Sequence, residues 1–485
     1  MKLGLVVTWL GIAVCIRGAA TTPAPTACAT PLTATTNNPT WDTSGNTMLK
    51  GTYSFRYVRY SIGDLLGNLS EATTLYGTIT FTGTTTGTYT ISNASEYDSS
   101  LGSVCTQNMT SPSGYSISAS GFGFLSNPLP PLPSEPLSLS NSVSPSDAIW
   151  GTVSSSHVFI GSSTETLNGY NDLFIAAPQT NTAGLTGDSY SVAYINFPTG
   201  YVGNVVTAGF QMTPSSSSVD ILMYQGNSIS ATDVVESVSS SSTSTSCGGS
   251  GALSFSGQAI SGTECLYIAP NMSMPVENFI FGGSPTGFDF FVGVETATGT
   301  TVKGFDAGNF TGLYYQGGID EIISSSGGSL QTYYGAFSAR SGTILDHQRI
   351  LAPLNPPIPQ IGYPPQPFSN TYADTYTLAF GSNVGYTDTA TGRDYALSED
   401  GTMRLGFGIY PNLGISIALQ APAIAPPSSY SASQLYINPI GVVNAASFAP
   451  YTSGISPGEL IVIFGSGFDM TTQVIFNEDG NSSGG

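Results

Sequence analysis

Aromatic and β-branched residues fall at every second position in short runs along most of this chain. Examples are Tyr53-Ser54-Phe55-Arg56-Tyr57-Val58, Thr78-Ile79-Thr80-Phe81, Tyr115-Ser116-Ile117 and Val192-Ala193-Tyr194-Ile195-Asn196-Phe197. A period of two puts alternate side chains on opposite faces of a strand, one toward a core and the other toward water. Gly, Ser, Asn and Pro punctuate the runs at short intervals, and no stretch beyond the N-terminal leader has the 3.6-residue spacing of a useful amphipathic helix. The fold class this predicts is all-β and antiparallel. Asp400-Gly401, between Tyr395-Ala396-Leu397 and Met403-Arg404-Leu405, reads as a hairpin turn, because glycine tolerates the positive φ of tight turns.

The pattern repeats. Ile160-Gly161-Ser162-Ser163 with Gly169 to Ile175, Phe281-Gly282-Gly283-Ser284 with Gly287 to Val292, and a fainter Tyr410 to Ile415 share an aromatic anchor. The anchors Tyr170, Phe288 and Tyr410 lie 118 and 122 residues apart, and Tyr-rich opening strands at Tyr53, Tyr190 and Tyr314 lie 137 and 124 apart. Two markers of similar period indicate three related β-modules over 48–178, 186–297 and 310–421, followed by a linker over 422–436. A closed or nearly closed barrel would hide the sheet edges of each module; a sandwich or one propeller-like ring are the alternatives. Pro128 to Pro136 and Asn355 to Pro367 interrupt the plan as rigid loops, since proline cannot donate to a ladder. Ser237 to Ser246 reads as a flexible loop.

Residues 1–20 read as an export signal: Lys2, a mostly apolar Leu3 to Ile16, then Gly18-Ala19-Ala20. A Thr/Pro-rich tail covers 21–47. Later stretches are too short and polar to span a membrane as helices, so no transmembrane span is expected in the mature chain. Removal of the leader leaves Cys28, Cys105, Cys247 and Cys265, an even number that suits disulfides outside the cytoplasm. Cys247 with Cys265, flanking a short segment, and Cys28 with Cys105 are the preferred pairs. The expected location is secreted or cell-surface.

Of 485 residues only 8% are charged, and the net charge is -20 with 10 Lys and Arg. So few, scattered cations exclude a nucleic-acid groove, which must neutralise several phosphates. The acidity suits colloidal solubility, with calcium as a weaker alternative. Asp388 and Asp394 bracket a tight loop that offers oxygen ligands, although the usual Asp-rich calcium-loop pattern is missing. No catalytic residue is assigned. The two histidines, His157 and His347, lack a nucleophile elbow nearby. Among the acids, Asp172, Asp289, Glu295, Asp320 and Glu321 merit inspection; recurrence of Asp172 and Asp289 beside the anchors argues for a turn-fixing role.

Ile437 to Phe448 (INPIGVVNAASF), followed by Ile455 to Phe468 (ISPGELIVIFGSGF), resembles the start of the C-terminal domain in a large group of secreted bacterial proteins. It is also similar to the opening strands of immunoglobulin-like IPT/TIG domains. The resemblance implies no chemistry and transfers no functional residue. Such a sandwich needs about 100 residues, so 437–485 is expected to hold part of one: a fragment, or a segment that borrows a partner surface. The function expected from all this is a non-enzymatic structural or adhesion-type protein whose partners are extracellular protein or polysaccharide. The alternative is a carbohydrate-binding chain or a module associated with a glycoside hydrolase.

Overall fold

The computed structural model describes residues 27–32, 41–62, 69–100, 102–130, 148–164, 170–179, 185, 189–197, 204–226, 228–270, 278–296, 310–324, 327–340, 342–351, 368–375, 385–388, 393–398, 400–422, 436–444, 460–466, 474–476 and 482–484. The expected export signal, about half of the Thr/Pro-rich tail, residues 131–136 of the first Pro-rich stretch and all of the second lie outside them. Among the described residues the chain is strand throughout, with two single-turn 3-10 helices, Asn46–Met48 and Thr245–Cys247. No helix among them is long and apolar enough to cross a membrane.

Three antiparallel units follow one another. In the first, eight strands close into a ring because the opening strand Lys50–Ile62 pairs with both Leu69–Thr82 and Tyr170–Pro178; Ala94–Asp98 and Val104–Gln107 hang from the second strand as a flap. The second is a closed eight-stranded barrel from Ser189–Asn196 to Phe290–Thr296. The third is an open eight-stranded sheet whose edges are Phe368–Thr375 and Gly385–Asp388. Beyond it, Tyr436–Asn444 pairs with Ile461–Ser466, and Val474–Phe476 with Ser482–Gly484.

The three units share one device: the last strand returns to pair with the first. Tyr57 faces Phe174, Tyr194 faces Phe291, and in the third sheet Asp320 faces Gly414, four residues after Tyr410 as Phe174 is after Tyr170. A Cβ on Gly414 would lie 2.1 Å from Asp320 Oδ1, so this pair sets a carboxylate against a glycine where the other two set aromatic against aromatic. The hairpin at Asp400-Gly401 forms between Arg393–Leu397 and Met403–Gly408, with Gly401 at φ 73° and Asp400 Oδ1 accepting from the Thr402 amide at 2.9 Å.

Two features differ from the sequence expectation. First, the opening and closing strands are buried on both faces. Phe55, Tyr57 and Phe174 fill the first barrel, while Val58, Tyr60, Leu173 and Ile175 on the outer face join a second core. That core also takes Ala193, Ile195, Val292 and Val294 from the second barrel and Ile319, Ile415 and Ile417 from the third sheet. The face assigned to water is therefore covered by neighbouring units. Second, Ser237–Ser241 is strand, part of Thr232–Ser241, not loop. Val238 is buried between Ser237 and Ser239, which face out, and the segment pairs with strands on both sides. Small polar side chains satisfy the outward positions of an alternating strand as well as they do a loop.

Cys28 bonds to Cys105 and Cys247 to Cys265, across 77 and 18 residues of sequence. The first ties the N-terminal segment to the flap, where Ala27 and Leu32 form parallel bridges to Thr106 and Met109. Cross-linking limits the unfolded chain more when the closed loop is longer. Opening Cys28–Cys105 with a paired Ser substitution is expected to cost about 4 kcal/mol in denaturant unfolding, against about 3 for Cys247–Cys265.

Candidate functional site

The densest polar chemistry lies where the first and second barrels meet. Arg56 sits mid-strand on the outer face of the first barrel, fully buried. Its guanidinium donates to Asp289 O at 2.8 and 3.1 Å, to Ser284 O at 3.2 Å and to Gly287 O at 3.4 Å, and lies 3.4 Å from Asp289 Oδ1. Tyr76 and Phe290 rings flank it. The Tyr60 hydroxyl donates to Phe288 O, and Thr74 Oγ1 donates to Gly287 O at 2.8 Å. Residues 284–290, the turn before the closing strand of the second barrel, are thus gripped by the first barrel.

Asp289 in turn receives the Ser284 amide on both carboxylate oxygens, at 3.0 and 2.9 Å. Asp172 does the same in the first barrel, accepting from the Ser163 amide at 2.7 Å and the Tyr57 hydroxyl at 2.7 Å. The two recurrent acids are turn locks at equivalent places. Beside Asp289 lies Glu264, 2% exposed. Burial, then the charge of Asp289 and a hydrogen bond with it, push the Glu264 carboxyl well above the usual range, with Arg56 pulling weakly the other way. Two carboxyl groups, Glu264 and Asp289, therefore lie together opposite the one guanidinium of Arg56.

The third sheet has its own buried charges. Arg393 pairs with Asp320; burial raises the Asp320 carboxyl, and Arg393 offsets part of that. Glu321, fully buried, has no hydrogen-bond partner for either carboxylate oxygen among the described residues. Burial lifts it to about 9; the backbone of Ser329 draws it back a little, and the charge of Asp320 adds to the rise. Arg404 lies over the Phe337 and Tyr395 rings and donates to Gln316 Oε1 at 3.0 Å, while Gln316 donates to Asp346 at 2.6 Å.

The remaining candidates are scattered. Asp394 faces Thr387 and Asp388 faces Arg393 across one hairpin ladder; the Asp388 side chain lies outside the described residues. The one group of three potential metal ligands among the described residues is Cys28, Glu96 and Cys105, whose two sulfurs are already joined as a disulfide. Glu295 accepts from the Asn278 amide and side chain at 3.0 and 2.7 Å. His157 caps a turn with Nδ1 2.8 Å from Met48 O, and His347 pairs through its backbone with Ala336, its side chain being outside the described set. The structure sets Asp289 beside Glu264 and pairs Asp320 with Arg393; it leaves Asp172 and Glu295 in separate bonds.

Arg56, Glu264, Arg393 and Arg404 were not singled out from the sequence. A signal existed for Arg56: a chain with so few cations places one between Phe55 and Tyr57, where Val58 and Tyr60 make the supposed water face apolar as well. Among the side chains whose burial is described, no aromatic one is exposed; the large apolar ones that are exposed are Ile229, Val235, Leu460, Ile461 and Ile463. One open cleft of about 500 Å3 lies between the first and second barrels. Comparison with protein-family models, with curated proteins and with solved structures finds no match.

Proposed function

We propose that this chain is a non-catalytic structural or adhesion-type component of the extracellular surface, built as one rigid block of three β-units with an immunoglobulin-like segment opening at 437. The observation that carries this reading is where the charges go. Arg56, Arg59, Arg349, Arg393 and Arg404 are all at most 5% exposed, in a chain that has only 10 Lys and Arg. Asp172, Asp289, Glu264, Asp320 and Glu321 are buried with them. Arg56 and Asp289 join the first barrel to the second, Asp172 locks a turn within the first, and Arg393 pairs with Asp320 within the third sheet, so groups that acid-base chemistry would need in contact with substrate are committed to internal contacts.

The joints support the same reading. Beyond the Arg56 grip, Asn171 Nδ2 donates to Thr332 Oγ1 at 3.1 Å, the Tyr315 hydroxyl donates to Ser120 O, and Thr207 Oγ1 donates to Gly408 O at 3.4 Å. These three bonds link first to third, third to first, and second to third unit. Each unit therefore contacts both others, and a shared apolar core runs between them. The two disulfides fit an exported location.

Calorimetry of the mature chain is expected to show the three units melting in a single transition, and each unit expressed alone is expected to fail to fold, because its outer face is core. Three separate transitions would remove the rigid-block reading. Turnover of a polysaccharide, ester or peptide substrate, abolished by substituting one of the buried acids, would remove the non-catalytic one.

A further inference from the structure

The cleft between the first and second barrels has a composition that sets it apart from the rest of this acidic molecule. Its wall from the first barrel comes from the strand around Tyr76 to Thr78, the turn Ser92 to Ser95, and Gln179; its wall from the second comes from the loop 242–251 and Leu266 to Ile268. No Asp, Glu, Lys or Arg lines it, although the chain carries 30 acids. The surface offered is hydroxyl, carboxamide and backbone, over tyrosine and aliphatic carbon.

Both walls are preformed. Cys247–Cys265 pins the 242–251 loop to its barrel, and within the loop the Ser244 amide donates to Ser250 O at 2.8 Å and the Gly249 amide to Ser244 O at 2.9 Å. Opposite, Asn93 takes φ 53° and its amide donates to Asn108 Oδ1 at 2.8 Å. This fixed backbone leaves polar side chains unspent. Asn93, Gln179 and Thr243 are exposed, and their side chains make no hydrogen bond among the described residues. Tyr267, 3% exposed, contributes ring carbon to the wall, its hydroxyl being buried with no hydrogen-bond partner among the described residues.

We propose that this cleft binds a stretch of neutral oligosaccharide, about two or three sugar units, as the adhesive contact of the molecule. A cavity of this volume is within the ordinary range for small ligands. An anionic ligand would meet no cation and a net charge of -20; a cationic one would meet no carboxylate in the wall. A polyhydroxylated neutral ligand instead pairs with carboxamides, which offer donor and acceptor on one planar group, and with hydroxyls that turn to suit. The proposal rests on the adhesion reading for its setting, an exported chain facing polysaccharide, and on the cleft alone for its chemistry.

The test is titration calorimetry of the full mature chain with linear cellohexaose, xylohexaose, maltohexaose and chitohexaose, and with a galacturonic-acid hexamer as the charged control, the sugars being analysed afterwards for cleavage. At least one neutral hexamer is expected to bind with a sub-millimolar Kd. The pair Asn93→Ala with Gln179→Ala is expected to weaken it at least tenfold, and Thr243→Trp, an exposed position that leaves folding intact, is expected to block it. Failure of all four neutral hexamers to bind would overturn the proposal. So would binding unchanged in both variants, or a galacturonic-acid hexamer that binds as tightly. Cleavage of a bound sugar would overturn the non-catalytic reading and leave the cleft assignment standing, so the two fail separately.

Discussion

Replacing Glu321 with glutamine is expected to raise the melting temperature at pH 8 by about 5 °C or more, and to leave it almost unchanged at pH 4.5. In the folded protein the Glu321 carboxyl keeps its proton up to about 9, whereas in the unfolded chain it releases it near 4.5. Between those values the unfolded state binds fewer protons than the folded state, so stability falls as pH rises, by on the order of 1 kcal/mol per pH unit for this one group. Below 4.5 both states hold the proton and the full stability is present. Glutamine keeps the shape and the neutral form and has no proton to lose. At pH 8 it should therefore recover on the order of 3 kcal/mol.

Glu264, Asp320 and Glu96 are also raised by burial, so the parent protein as a whole should be more stable at pH 5 than at pH 8, and the substitution should flatten only part of that slope. Differential scanning calorimetry between pH 4 and 9 decides it. A parent melting temperature that climbs from pH 5 to pH 8, or a glutamine variant indistinguishable from the parent at pH 8, would contradict the burial argument.

The same substitution shows why the charges were hard to read in advance. Alternation fixed the class, and the recurring anchors marked three units, because both depend on local spacing that survives divergence. The turn-locking role of Asp172 and Asp289 was legible for the same reason: a short polar side chain beside a recurring turn bonds locally. The disulfides join cysteines that the flap and a hairpin bring together, again within single units. What a one-dimensional pattern could not show is which sheet faces another sheet. Tyr60 and Ile175 look like the wet side of a strand until the neighbouring units cover them. Arg56 acquires its meaning only from a surface more than two hundred residues away in the chain. Ring closure of the first two units and the open third sheet depend equally on which distant edges meet. The Ser237–Ser241 strand was obscured by composition, since serine marks loops more often than strands.

Arg56→Ala is expected to cost about 3–5 kcal/mol. The guanidinium is the sole cation facing the Asp289–Glu264 pair among the described residues, and its removal strands a buried carboxylate together with the carbonyls of Ser284, Gly287 and Asp289. Leaving a buried charge uncompensated costs more than the pair itself contributes. Arg56→Lys is expected to recover less than half, because a single ammonium cannot fork between Asp289 O and the turn carbonyls as the planar guanidinium does. Arg56→Met combined with Asp289→Asn is the informative control. It removes both charges, keeps much of the volume and leaves the amide of Ser284 an acceptor, so it should lose less than Arg56→Ala alone. Urea unfolding of the four proteins, with hydrogen exchange followed at residues 284–290, separates the outcomes: if Arg56→Ala unfolds within 1 kcal/mol of the parent by the usual mutational scale, the guanidinium is not what clamps the second barrel to the first.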